Sequence, residues 1–347
     1  MPVVKFNTKR GEIEKVHPDE NVDRGVATAN AIKVDKVGTD LFMSREIWLP
    51  WGFRGAFGGQ FIAQSLYAGF QTVPEDFFVH SLHCYFILSI TGEVPVVYSV
   101  KRVRDGRSYA TRTITATQNG KSAFVLSCSF ARPDESLHVE HQTKMPDRVD
   151  PEKLPSDVEM MQTRLERTDY PEDIRKTLEE YNYAILPIEF RETSNYTGEE
   201  IATGDLKFNP HDGRWFRANG NPGDDLRIHA CLIAYAADYE LLNTASKANG
   251  TTYRSARVGM LSSLDHSMWF HEPTRADQWL LHDMYSPRSK GGRAVSFGRI
   301  YNRKGEVIAT TAQEGVLRLS KKEQERRKKQ AQSENDIKTK YGENNRL

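Results

Sequence analysis

The chain has 347 residues and near-balanced charge, 48 Lys and Arg against 47 Asp and Glu, for a formal net charge of +1. That length suits two modest domains or one doubled one, and the balance leaves no electrostatic footprint for nucleic acid. Cys84, Cys128 and Cys231 lie far apart without CxxC spacing, which argues against a disulfide framework or a zinc site and fits a reducing interior. No apolar run approaches the roughly 20 residues of a membrane helix and no N-terminal signal pattern is visible, so a soluble intracellular protein is expected.

Residues 1–38 are polar and without a clear period; they read as an extension, part of it ordered. Leu41–Trp51 predicts a strand closed by Pro50. In RGAFGGQFIAQSLYAGF, Gly58-Gly59 marks a tight approach or a helix start. Phe61, Ile62, Leu66, Gly69 and Phe70 then recur at helical spacing. After Pro74 the pattern alternates, and strands are predicted at Ser81–Ile90, Val94–Arg104, Ser108–Gln118 and Ala123–Phe130. Asp105-Gly106 and Asn119-Gly120 mark the turns between them. Prolines among charges over 133–184 predict a surface connector with short helices at Val158–Arg167 and Glu172–Glu180.

The β pattern returns at Pro187–Glu192 and Asp212–Ala218. A second helix is predicted over IHACLIAYAADYELL, residues 228–242, followed by a polar loop at Ala245–Arg254. Strands follow at Ser262–Phe270, Trp279–Tyr285, Ala294–Tyr301 and Glu306–Leu319. The alternating charges beyond Lys321 read as a solvated helix. DGRSYATRTITATQNGKSAFVLSCSF and GGRAVSFGRIYNRKGEVIATTAQEGVL can be laid over each other. Gly106 then meets Gly292, Gly120 meets Gly305, and Cys128 meets Gln313. The chain therefore reads as a doubled α+β unit, each half burying an apolar helix against a curved antiparallel sheet. The expected division is 39–132 and 185–320 for the two units, with an extension over 1–38 and a charged tail over 321–347.

VGMLSSLDHSMWF, Val258 to Phe270, reads as a strand ending in polar groups. Two-residue alternation puts Ser263, Asp265 and Ser267 on one face and Leu264, His266 and Met268 on the other. That polar face either lines a pocket or simply meets water. On the helix, Cys231, Ala234, Asp238 and Leu241 share a stripe. A carboxylate on an apolar stripe needs a partner or a chemical role. Gln313 shares a strand face with Thr311 and Ala309, where small neighbours leave room. Structural readings stand beside each of these: a satisfied Asp, a solvated Ser and an edge-strand amide.

FGGQFIAQSLYAG, VHSLHCYFI, DGRSYATR, QNGK, DDLRIHACLIAYAADYELL, LDHSMWFHEP and AQEGVLR together resemble the type II acyl-CoA thioesterases, in order, from about Leu41 to Leu319. The resemblance implies a double hotdog fold that hydrolyses acyl-CoA to fatty acid and CoA without a metal or organic cofactor. It implies that Asp238, Ser263 and Gln313 orient the attacking water, and that the protein forms homo-oligomers. No GxSxG elbow surrounds Ser263, so a water-orienting hydroxyl suits it better than a nucleophile. The resemblance also points to the peroxisome and its import receptor, for which the C-terminal Asn345-Arg346-Leu347 is an imperfect address.

Around this site, Asp265 reads as support for the strand or for Ser263. His80 and His83 either line a CoA channel or are structural. Gly58-Gly59 offers backbone N–H groups to a phosphate or thioester oxygen, or serves close packing. With Cys128 in place of Gln313, the first half is expected to lack the full site. GDLKFNPHDG, Gly204 to Gly213, loosely resembles a stretch of hotdog hydratases, and a non-catalytic acyl-CoA binder is the other alternative.

Overall fold

The computed structural model describes residues 3–7, 12–16, 23–49, 55–134, 136–137, 139–156, 159–160, 163, 166, 187–194, 200, 203–253 and 255–342. The expected helices at Val158–Arg167 and Glu172–Glu180, the strand end at Pro50-Trp51 and the last three residues lie wholly or partly outside them.

Strands β1 (Val3–Asn7) and β2 (Glu12–Val16) form a small sheet with β5 (Glu46–Trp48). Helix α1 (Arg24–Ile32) begins where the Asp23 carboxylate accepts the Val26 N–H at 3.1 Å, a side-chain N-cap. Strands β3 (Val34–Gly38) and β4 (Leu41–Ser44) follow. The first unit continues with α2 (Gly58–Phe70), β6 (Phe78–Phe86), β7 (Val97–Asp105), β8 (Tyr109–Gln118) and β9 (Lys121–Ala131). Asn119 and Gly120 turn the β8–β9 hairpin with φ of 52° and 72°, as a two-residue turn of positive φ requires.

The second unit holds β10 (Ile188–Glu192), β11 (His211–Ala218), α3 (Leu226–Ala237), α4 (Leu241–Lys247), β12 (Val258–Ser263) and β13 (Asp265–Phe270). It closes with β14 (Leu280–Lys290), β15 (Arg293–Tyr301) and β16 (Val307–Leu319), before the polar helix α5 (Lys321–Gly342). β13 pairs antiparallel with β6, so the two halves share one 13-stranded sheet. It runs β10-β11-β14-β15-β16-β13-β6-β9-β8-β7-β4-β3, with β12 paired to β16. This is the double hotdog: one continuous sheet wrapped around two apolar helices.

Every side chain of α3 from Ile228 to Ala237 is buried, and α2 is buried almost all round. Such helices belong between a sheet and another helix, not on a surface. They pack against each other in opposite directions. The start of α2 meets the end of α3, where a Cβ on Gly59 would lie 2.4 Å from the Tyr235 carbonyl oxygen. Only glycine allows that approach.

Several predicted elements differ in detail. The strand expected at Leu41–Trp51 is cut at Arg45 into β4 and β5, which lie in different sheets. The second helix does not run on to residue 242. It stops at Ala237, and Glu240 adopts a left-handed backbone at φ 65° before α4 begins. The Glu240 carboxylate is held there by Asn243 at 2.7 Å and by Lys247 at 3.4 Å, and Lys247 also pairs with Asp212. The expected loop from Ala245 therefore starts later, because buried α4 carries the chain through Lys247. The single strand expected over Ser262–Phe270 is split at Leu264 into β12 and β13.

We expect Gly59→Ala to force the helices apart and to cost about 1–3 kcal/mol. Chemical denaturation checks this; an unchanged midpoint would show that the approach of α2 to α3 is looser than described.

Candidate active site

Asp238 is the first residue past α3, Ser263 ends β12 and Gln313 lies mid-way along β16. Although 75 and 50 residues from Gln313 in sequence, both meet it. The Gln313 amide nitrogen donates to Asp238 Oδ1 at 2.7 Å and to Ser263 Oγ at 2.8 Å. The three residues expected to form the site thus share one hydrogen-bonded group. Both amide hydrogens are consumed by it.

The break at Leu264 makes this meeting possible. Ser263 lies opposite Gly315, whereas Met268 lies opposite Thr311. The β12–β13 chain spends one residue more than β16 over this stretch, which is a bulge. Thr311 and Gln313 are buried on the inner face of β16. Ser263 consequently joins His266, Met268 and Phe270 on the inner face, and the simple alternation read from sequence fails. Asp265 does not share the face of Ser263. Its Oδ1 accepts the Glu314 N–H at 3.0 Å, and the Leu264 N–H donates to Glu314 O at 2.9 Å. Asp265 pins the bulge beside Gln313.

Asp238 keeps a partly exposed edge, yet burial dominates its chemistry. Burial pushes the carboxyl from its ordinary 3.8 up to about 6, against hydrogen bonds from Gln313 and the Gly59 backbone that hold it down. The Gly59 N–H comes from the first turn of α2, which has no side-chain cap. The positive end of that helix faces a carboxylate across the two halves. Gly58-Gly59 therefore serves Asp238 directly, and a Cβ on Gly58 would lie 2.8 Å from Asp238 Oδ2 and 2.7 Å from the Phe86 ring. Leu242 packs on Gly315, which lies opposite Ser263: a Cβ there would meet its Cδ2 at 2.3 Å.

The other candidates lie elsewhere. His83 is exposed on the outer face of the sheet, bonded to Ser267 Oγ at 3.0 Å and edge-on to Trp269 at 5.3 Å. His80 meets Tyr109 edge-on at 5.7 Å. In the hydratase-like stretch, Asp205 bonds to Ser255 and Arg257, and Asn209 accepts the His211 N–H at 3.1 Å. These contacts hold local turns. Among the described residues, no group of three or more His, Cys, Asp or Glu is placed to hold a metal ion.

The first unit carries different groups at the same positions. Cys128 lies opposite Arg112 on β8, as Gln313 lies opposite Ser296 on β15. Phe70 ends a Tyr-Ala-Gly run on α2, as Asp238 ends Tyr-Ala-Ala on α3. Phe70 packs edge-on against Phe130 at 4.9 Å, and the Arg112 guanidinium is spent on Thr72, Arg104 O, Thr111 O and Asp105. Phe70 and Cys128 thus stand where the second unit has Asp238 and Gln313, beside a buried guanidinium whose donors are already taken.

Sequence reasoning missed two inner-face groups beside Gln313, His266 and Ser296, both fully buried. The bulge hid the first, and the second lacked any motif.

The family model described as "Acyl-CoA thioesterase" matches residues 190–316, and "Acyl-CoA thioesterase N-terminal domain" matches 46–131. The chain is 36% identical to acyl-coenzyme A thioesterase 8 of Mus musculus over 85% of its length and 90% of the relative. It is 32% identical to acyl-CoA thioesterase 2 of Haemophilus influenzae, covering 83% and 96%, and 24% identical to the peroxisomal acyl-coenzyme A thioester hydrolase 1 of Saccharomyces cerevisiae, covering 77% and 87%. Among solved structures, the acyl-CoA thioesterase II TesB2 from Mycobacterium marinum superposes with a TM-score of 0.63 at 27% identity, over 85% of this chain and 98% of that one. Two family models that match the two halves, and relatives 32–36% identical over more than four fifths of the chain, show the family: the chain is a member of the type II acyl-CoA thioesterase family.

Proposed function

We propose that the chain hydrolyses acyl-CoA by direct attack of water, with Asp238, Ser263 and Gln313 as the water-orienting set. The observation that carries this reading is the Gln313 amide, which donates to both Asp238 Oδ1 and Ser263 Oγ. Asp238 takes a proton from water as its oxygen bonds to the thioester carbonyl carbon. The C–S bond then breaks, and the proton on Asp238 passes to the departing thiolate. Ser263 and Gln313 fix the water and the carboxylate in line. Gln313 has no hydrogen left for the developing oxyanion, and the Gly59 N–H is given to Asp238, so the oxyanion falls to the Gly58 N–H and the positive end of α2. Peroxisomal residence is part of the same proposal, supported by the yeast relative; diffuse signal from a fluorescent fusion would count against it.

Release of free CoA thiol from medium- and long-chain acyl-CoA tests the activity. Asp238→Asn should lower kcat by about 10²–10⁴-fold. Full turnover in that variant would remove Asp238 from the mechanism.

The pH dependence has a defined sign. The base works ionised, so kcat/KM of the wild type should fall as pH drops through about 6, the value to which burial pushes Asp238.

Stability should run the other way. The folded-state value of about 6 lies above the ordinary 3.8, so the folded chain holds this proton more tightly than the unfolded one. The burial penalty on the carboxylate is absent below about 4, grows between about 4 and 6, and is complete above. Asp238→Asn should therefore be more stable than wild type at pH 8, by about 2–3 kcal/mol, with the gain gone near pH 4. Equal melting temperatures at both pH values would overturn this.

A further inference from the structure

Gln313 presents its nitrogen to Asp238 and Ser263, and its other end is unanswered. Oε1 is buried and has no hydrogen-bond partner among the described residues. Three more buried orphans are Ser296 Oγ and both ring nitrogens of His266. Buried polar atoms are rarely left unpaired, and these four belong to neighbouring side chains. Ser296 lies directly opposite Gln313 on β15. On the other flank, Ser267 lies opposite Ala312 and Met268 opposite Thr311, so His266 stands one step on, level with Gln313. Both residues face inward, His266 and Ser296 each 0% exposed. Laterally paired Cβ atoms on one face of a sheet sit about 5 Å apart, within reach of a glutamine amide.

We propose that His266 and Ser296 are positioning residues that seat the Gln313 amide during turnover, each turning from the unpaired orientation seen here to donate a ring N–H or a hydroxyl to Oε1, so that its nitrogen stays turned toward Asp238 and Ser263. A carbonyl oxygen has two lone pairs, one for each donor. The imidazole suits this role because burial pushes its pKa down to about 3, so it remains neutral with a single N–H. His282 lies in the next layer, its Nε2 bonded to Thr311 Oγ1 at 3.0 Å across Gly298, where a Cβ would be 2.2 Å from that nitrogen.

The seat matters at one stage of turnover. An ionised Asp238 accepts only, so it holds the amide nitrogen toward itself unaided. Once Asp238 has taken a proton it becomes a donor and can bond equally well to a flipped Oε1. Donors on the far side of the amide remove that alternative. This inference rests on the proposed hydrolysis, and it separates the acid–base residue from the groups that keep its partner aligned.

The test uses Ser296→Ala, Ser296→Thr, His266→Phe and His266→Gln in the full chain, with melting temperatures alongside kinetics. Losing one donor should lower kcat by about tenfold with KM nearly unchanged. Weakening the Gln313 bond, which holds the Asp238 carboxyl down, should also shift the acid limb of kcat/KM to higher pH. Around Asp238 the remaining groups are the Gly59 N–H and the neutral Cys84 and Tyr235, none of which these variants change. Ser296→Thr and His266→Gln keep a donor and should recover most of kcat. Losses that follow the melting temperature without moving the acid limb, or well-folded Ser296→Ala and His266→Phe enzymes with wild-type kcat, would overturn the proposal. Absence of turnover in the wild type would instead refute the hydrolytic reading itself.

Discussion

The close antiparallel approach of α2 to α3 is the constraint on which the site depends. Gly59 allows it, since any Cβ there would strike the Tyr235 carbonyl. The approach sets an uncapped helix start from the first unit against the carboxylate that ends the second unit's helix. Both halves hold the Asp238 carboxylate down against burial. The first supplies a donor and a helix dipole; the second supplies the amide and the hydroxyl. A doubled fold can in this way assemble one site from two unequal copies.

The inequality is built from ordinary packing. In the first copy the interior carries Phe70, Cys128 and a buried Arg112 whose donors are spent on backbone carbonyls, Thr72 and Asp105. In the second it carries Asp238, Gln313, Ser296, His266 and His282. Burying so many polar groups together costs stability unless they answer one another. The raised Asp238 carboxyl and the lowered His266 imidazole both come from that burial. The same desolvation that weakens the fold locally gives Asp238 a basicity suited to taking a proton near neutral pH.

Two local departures from regularity deliver the side chains. The left-handed Glu240, gripped by Asn243 and Lys247, turns the chain out of α3 immediately after Asp238. The bulge at Leu264, pinned by Asp265 on the Glu314 N–H, brings Ser263 inward. Without the first, Asp238 would lie inside a longer helix; without the second, Ser263 would face outward with Ser267. Asp265, Asn243 and Lys247 are thus tied to the candidate site through backbone geometry.

Much was legible in the chain of amino acids. Periodicities of two and about 3.6 located most strands from β6 onward and the helices α2 and α3, though not the elements before Leu41, and the matching glycines Gly120 and Gly305 exposed the doubling. The trio Asp238, Ser263 and Gln313 followed from a resemblance that runs from about Leu41 to Leu319, and in the structure the three side chains meet. What periodicity could not give was every place where the chain breaks its own period. The end of α3, the inward turn of Ser263 and the flanking of Gln313 by His266 and Ser296 depend on partners far away in the sequence. Local pattern reports which face a residue would occupy in an ideal element. A one-residue bulge reverses that answer, and only the pairing of β12, β13, β15 and β16 in the folded sheet decides it.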